Sequence, residues 1–183
     1  MWELWHYSTL RFNLIILVVC WCACSFGFYM LAYVLKYLNG DIFINAYSSS
    51  FGEIVGKLST IPLLRCTSIK RIYLIAFSLS SIGVLLLIIF KDSDNWIPLI
   101  LMVARFGFSQ AFVLGYLGII LVYPTILTST AMGICVMMSK IATIFAPIVT
   151  EVQSPINLVI LMSIAIVATL VSQFLIVAEK KVK

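Results

Sequence analysis

Charge is what this 183-residue chain has least of: 12 Lys plus Arg, 7 Asp plus Glu and one histidine, so that charged residues make up only 10%. Water-soluble domains hold about a quarter. With 63% hydrophobic residues and a mean hydropathy of +1.15, that shortage excludes a soluble globular domain. Cysteine is odd in number; the 5 cysteines sit in or beside apolar runs rather than in a loop-rich framework, which excludes a disulfide-stapled secreted scaffold. No glycine-rich nucleotide loop, His-Glu-x-x-His helix or Cys-x-x-Cys pair occurs, and no paired carboxylates stand in for them, so an enzyme is not expected. Cys20 and Cys24 share a helical face, with Cys22 between them, but His6 is the only histidine and nothing completes a tetrahedral metal site. They read as small buried hydrophobes, and no metal or cofactor is expected. The net charge of +5 does not gather into a basic cluster interleaved with aromatics, so nucleic acid is not an expected partner.

What the chain does have is long apolar runs. A bilayer-crossing helix needs about 20 mostly apolar residues, and hydropathy windows place helices at Asn13–Leu35, Phe43–Leu64, Ile72–Phe90, Ile97–Val122, Ala131–Val149 and Ile156–Ala178. Short connectors punctuate them: Asn39-Gly40-Asp41, Arg65-Cys66-Thr67, Lys91 to Asn95, Tyr123-Pro124-Thr125 and Ser154-Pro155. Alternating ten-residue segments of an outer-membrane barrel are absent, and backbone groups in hydrocarbon must pair internally. The expected fold is therefore all-α: a polytopic membrane bundle of six transmembrane helices over residues 13–178. Residues 1–12 form an interfacial lead-in and residues 179–183 a basic tail. Arg11, Arg65, Lys70, Arg71, Lys180, Lys181 and Lys183 fall on one side of the membrane and only Lys36 and Lys91 on the other, which puts both termini on the cytoplasmic or matrix side.

Four charges stand inside the runs: Glu53 and Lys57 in the second, Arg105 in the fourth and Lys140 in the fifth. Each costs roughly 2.5–3.5 kcal/mol at a helix centre, so each must face a partner or water rather than lipid. Glu53 and Lys57 are four apart with the acid first, the favourable order for an intrahelical pair. One acid cannot serve three cations, and the surplus positive charge predicts a wet pocket that attracts an anion. Arg105, nearest a helix end, can instead snorkel outward. Ser48, Gly52, Gly56 and Thr60 recur every four residues as a stripe for close helix packing. Tyr29, Tyr33 and Tyr37 form a similar series, of which Tyr29 is deepest and the pocket candidate. The expected substrate-binding residues are Tyr29, Glu53, Lys57, Arg105 and Lys140.

The run from Tyr123-Pro-Thr-Ile-Leu-Thr-Ser-Thr-Ala-Met-Gly to Ala146-Pro147 resembles the stretch joining the tenth and eleventh helices of organic anion and organic cation transporters of the major facilitator superfamily. Trp21-Cys-Ala-Cys-Ser-Phe-Gly-Phe-Tyr29 resembles their seventh helix, and Gly40 to Asn45 followed by Glu53-Ile-Val-Gly-Lys57 their eighth. The resemblance implies helices seven to twelve, the C-terminal half of a twelve-helix transporter. It places Lys57, Arg105 and Lys140 on basic positions of the anion transporters, Glu53 on an acidic one and Tyr29 on an aromatic near the substrate. Departures are Thr128 for the family's Arg, Leu121 for its Glu, Ser68-Ile69-Lys70-Arg71 for its Gly-Arg-Arg loop and Ala178-Glu179-Lys180 for its Pro-Glu-Thr. The function implied is transport of small organic anions in a lipid bilayer, with a second six-helix half or a homodimer partner; a piece of a longer transporter reads the same way. The rival expectation is a non-transporting accessory subunit of a membrane complex. A six-helix mitochondrial carrier is excluded because no proline begins a Pro-x-Asp/Glu-x-x-Lys/Arg motif.

Overall fold

The computed structural model describes residues 8–91, 93 and 95–176. Outside them lie the first seven residues of the lead-in, Asp92 and Asp94 of the third connector, and positions 177–183, including the expected end of the last span and the basic tail. Each expected span is a helix: α1 Ser8–Val34, prolonged by a 3-10 turn Leu35–Tyr37, α2 Ile42–Cys66, α3 Ile69–Ile89, α4 Ile97–Val122, α5 Thr125–Thr150 and α6 Ile156–Ser172. The described residues contain no strand. The chain is an all-α, polytopic membrane bundle. Thr9–Tyr37, α3, α4 and α5 are each long and apolar enough to cross a membrane. At 17 residues α6 is shorter, and α2, with 25, is diluted by Glu53, Lys57 and its run of small polar residues.

Local chemistry sets the boundaries. Asp41 caps α2 by accepting from the Phe43 amide at 2.7 Å, directly after Gly40, whose φ of 89° reverses the chain. α5 begins six residues before its apolar run. Pro124 occupies its N-cap, and the polar turn over residues 125–130 is helical although an apolar window does not register it. Likewise α1 takes in residues 8–12, assigned by hydropathy to the lead-in, and the last helix stops at Ser172, six residues before Ala178.

α4 is the central post, packed against α1, α2 and α3; α5 leans chiefly on α1, and α6 on α3 and α1. Two apolar layers fill the bundle, one around Trp21, Tyr73, Phe77 and Leu114, the other around Met30, Leu87, Leu101 and Phe108. The packed stripe of α2 differs in its first member. Asn45, Ser49, Gly52, Gly56 and Thr60 are buried, whereas Ser48 is only half-buried. Strict steps of four drift by about 40° each around a 3.6-residue helix, so three-residue steps are needed to stay on one face. At Gly56 an added Cβ would stand 2.5 Å from the Phe106 carbonyl oxygen, and at Gly52 it would overlap that of Met102. The two backbones are in contact.

Polar stitches join the ends. Asn13 Nδ2 donates to the Ile176 carbonyl at 2.7 Å and Asn13 Oδ1 accepts from the Ile176 amide at 2.9 Å, so the start of α1 and the chain beyond α6 lie at one end of the bundle. Tyr123 Oη donates to the Leu10 carbonyl at 2.7 Å at that same end. At the other end Lys36 Nζ and Tyr37 Oη donate to Glu151 at 2.8 and 2.7 Å.

Candidate functional site

Helical rise brings the embedded charges to a common depth. Tyr29 lies five residues before the end of α1, Glu53 eleven after the start of α2, Arg105 eight after the start of α4 and Lys140 ten before the end of α5. At 1.5 Å per residue these positions are about 8–17 Å below one end of the bundle. Four separate helices therefore meet in one layer.

Glu53 is the hub. Its Oε1 accepts from Lys57 Nζ at 2.5 Å, the intrahelical pair expected from the spacing, and its Oε2 accepts from Arg105 Nη2 at 3.1 Å across the α2–α4 seam. Arg105 does not snorkel. It is only 8% exposed, its Nη1 donates to the Phe28 carbonyl, and its guanidinium carbon lies 3.6 Å from the Phe28 ring centre. The tight seam explains this: Gly52 and Gly56 draw α2 against α4, so the Arg105 side chain meets a carboxylate within reach rather than a path to the interface. Lys57 is exposed, and its ammonium stands 5.8 Å from the centre of the same Phe28 ring.

Lys140 approaches from α5. Its ammonium lies 5.2 Å from the Tyr29 ring centre and donates to Tyr29 Oη at 3.4 Å, while Tyr29 and Phe28 meet edge to face at 5.5 Å. Among the described residues no carboxylate pairs with it. All five sequence candidates thus belong to one cluster, in two parts joined by an aromatic pair: Glu53, Lys57 and Arg105 on Phe28, and Lys140 on Tyr29. Lys57 and Lys140 are exposed and Phe28, Tyr29 and Glu53 half-buried, so the cluster lies on an open face, one wall of the wet pocket expected. The apolar cavities of about 390 and 190 Å³ are lined by other residues.

Two contributions escaped the sequence reading. Phe28 is the shared plate, and its only signal was adjacency to Tyr29. Gln110, fully buried on α4, donates from Nε2 to Ser59 Oγ of α2 at 3.3 Å; a lone amide five residues after an embedded arginine was the available clue. Arg105 Nε, Ser109 Oγ and Gln110 Oε1 are buried without a protein partner, so this layer of α4 carries unspent hydrogen-bonding capacity. Among the described residues no group of three or more His, Cys, Asp or Glu could hold a metal ion, and His6 lies outside them.

No protein-family model matches the chain. Curated transporters do. It is similar to mouse solute carrier family 22 member 4, with 32% identity over 133 residues, 71% of this chain and 24% of that protein. Human organic cation/carnitine transporter 2 is 27% identical over 141 residues, 75% of this chain and 25% of its own length. Bovine solute carrier family 22 member 16 is 28% identical over 155 residues, 83% and 27% respectively. The chain spans about a quarter of the length of these curated relatives. Its resemblance to the organic cation and anion transporter group of the major facilitator superfamily extends over most of its length, and these relatives are solute carriers, not enzymes.

Proposed function

We propose that the chain binds small organic anions on the Phe28–Tyr29 face and takes part in their transport as one half of a two-half carrier. The observation that carries this reading is the charge balance of the layer: one carboxylate, Glu53, is already shared by Lys57 and Arg105, and Lys140 is left with an aromatic ring and a phenol. An ammonium group at this depth is unfavourable towards lipid and favourable towards an anion. A carboxylate solute would sit between Lys140 and Lys57, with its apolar body on Phe28 and Tyr29. Because the face is open, the opposite wall has to come from a second six-helix unit, a separate half or another copy, as alternating access about a midplane site requires. The excess of Lys and Arg at the end holding Arg11, Arg65, Lys70 and Arg71 supports cytoplasmic or matrix-side termini.

A second reading rests on the departures from the family pattern. Thr128 and Leu121 stand where the family it resembles carries charged residues, and the resemblance implies that those charges help latch two halves together; their loss favours an accessory subunit that no solute crosses. One experiment separates the two. The chain is purified from native membranes with whatever six-helix unit accompanies it, reconstituted into vesicles and assayed for uptake of a labelled aromatic carboxylate and a labelled quaternary ammonium compound. Carboxylate uptake that falls at least tenfold in Lys140→Ala supports the proposal; the loss of a charge-assisted contact is worth about 1.5–3 kcal/mol. Uptake of the ammonium compound alone, or carboxylate uptake unchanged by the substitution, refutes it.

A further inference from the structure

α5 is held very differently at its two ends. At its start, Thr128 Oγ1 donates to the Pro124 carbonyl at 2.9 Å, and Tyr123, immediately before, is bonded to Leu10 of α1. At its far end the tie to α1 is an exposed carboxylate: Glu151 accepts from Lys36 through one oxygen and from Tyr37 through the other. The seam between these points is smooth. Ala131, Cys135, Ser139 and Ala146 make up most of the buried face of α5, and small sliding of packed helices is one of the ways such elements shift.

One further feature favours motion of the far half. About 200° around α5 from Lys140, a cavity of about 390 Å³ lined by Val18, Cys22, Phe26, Ala142, Ser163 and Val167 leaves space between α1, α5 and α6. Asn157 Nδ2 donates to the Thr150 carbonyl at 3.4 Å and links the end of α5 to α6, so the two move together there.

We propose that Lys36, Tyr37 and Glu151 form a releasable clasp, and that its opening lets the far half of α5 tilt from α1 and carries Lys140 away from Tyr29. An exposed ion pair is weak enough to open under thermal motion or competition from a solute, yet positioned where a small tilt displaces the only cation of the layer that lacks a carboxylate partner among the described residues. The inference concerns the chain's own movement and stands whether or not the solute is an anion.

Amide hydrogen exchange on the full chain in lipid nanodiscs tests it. In Glu151→Gln, exchange over residues 140–150 should rise about two- to five-fold, the effect of losing one exposed pair, with Tyr37→Phe giving a smaller rise. Residues 125–131 and α4 should not change. Exchanging the charges, Lys36→Glu with Glu151→Lys, should bring the far half back towards the parent value. Unchanged exchange in Glu151→Gln overturns the proposal. So does an equal rise in all six helices, which reports general loosening, or a charge exchange that restores nothing.

Discussion

Removing the charge of Glu53 while keeping its shape isolates the cost of leaving Arg105 buried alone. Glu53→Gln retains oxygen and nitrogen near Lys57 and Arg105, but the guanidinium, with its side chain 9% exposed and its Nε already without a partner, loses its counter-charge. Breaking a buried pair in this way costs about 3–5 kcal/mol. The lower end applies because the Glu53 side chain remains 23% exposed and water can reach the site. About 3 kcal/mol corresponds to a melting temperature lowered by about 6–12 °C in a chain of this size. Lys57, on the same carboxylate but 45% exposed, is the internal control. Lys57→Met should cost about 1 kcal/mol or less. The double variant Glu53→Gln with Arg105→Met removes both charges and should regain much of the loss, since no buried charge is then left without its counter-charge. Thermal unfolding in detergent micelles, followed by circular dichroism, supplies the cycle. Additivity of the two single variants within about 0.5 kcal/mol, or a Lys57→Met penalty equal to that of Glu53→Gln, would show that Glu53 and Arg105 are not coupled.

The same geometry sets two further outcomes. Gly56→Ala places a Cβ against the Phe106 carbonyl and should destabilise by about 1–3 kcal/mol in the same melting assay, whereas Gly133→Ala, where no atom lies within 4 Å, should be neutral or gain up to about 1 kcal/mol; equal melting temperatures would mean that α2 and α4 are not in backbone contact. The Glu151 carboxyl is held below the ordinary carboxylate range by the hydrogen bonds from Lys36 and then Tyr37. A depressed folded value makes the clasp fully effective above the ordinary carboxylate range near pH 4 and progressively lost as pH falls through the clasped value, while the Lys36 ammonium keeps its charge. Exchange over residues 140–150, corrected for its intrinsic pH dependence, should therefore be flat from pH 8 to 5 and rise below about pH 4; a rise centred near neutrality would assign it to another group.

The helices were legible because hydropathy is a property of each run alone, and the Glu53–Lys57 pair because it lies on one helix. The Arg105–Glu53 bond was not legible: it depends on the α2–α4 register, which is set by backbone contact at Gly52 and Gly56. Small residues spaced by four announced that a contact existed without naming its partner. Phe28 was hidden for a different reason, since an aromatic in an apolar helix is indistinguishable from packing until the guanidinium above it is placed. The polar start of α5 was missed because residues 125–130 are helical, with the Leu127 and Thr128 amides donating to the Pro124 carbonyl, without being apolar enough to register in a hydropathy window.

Asn13 carries a consequence for how the protein is made. Its amide is buried, and both of its partners sit on Ile176, 163 residues later. At about 5–20 residues per second, ribosomal synthesis separates the arrival of donor and acceptor by about ten to thirty seconds. During that interval the Asn13 carboxamide lacks both of the partners it has in the finished bundle. This end of the bundle therefore closes only after Ile176 has been made, and a chain halted before that residue should leave the start of α1 without its tie.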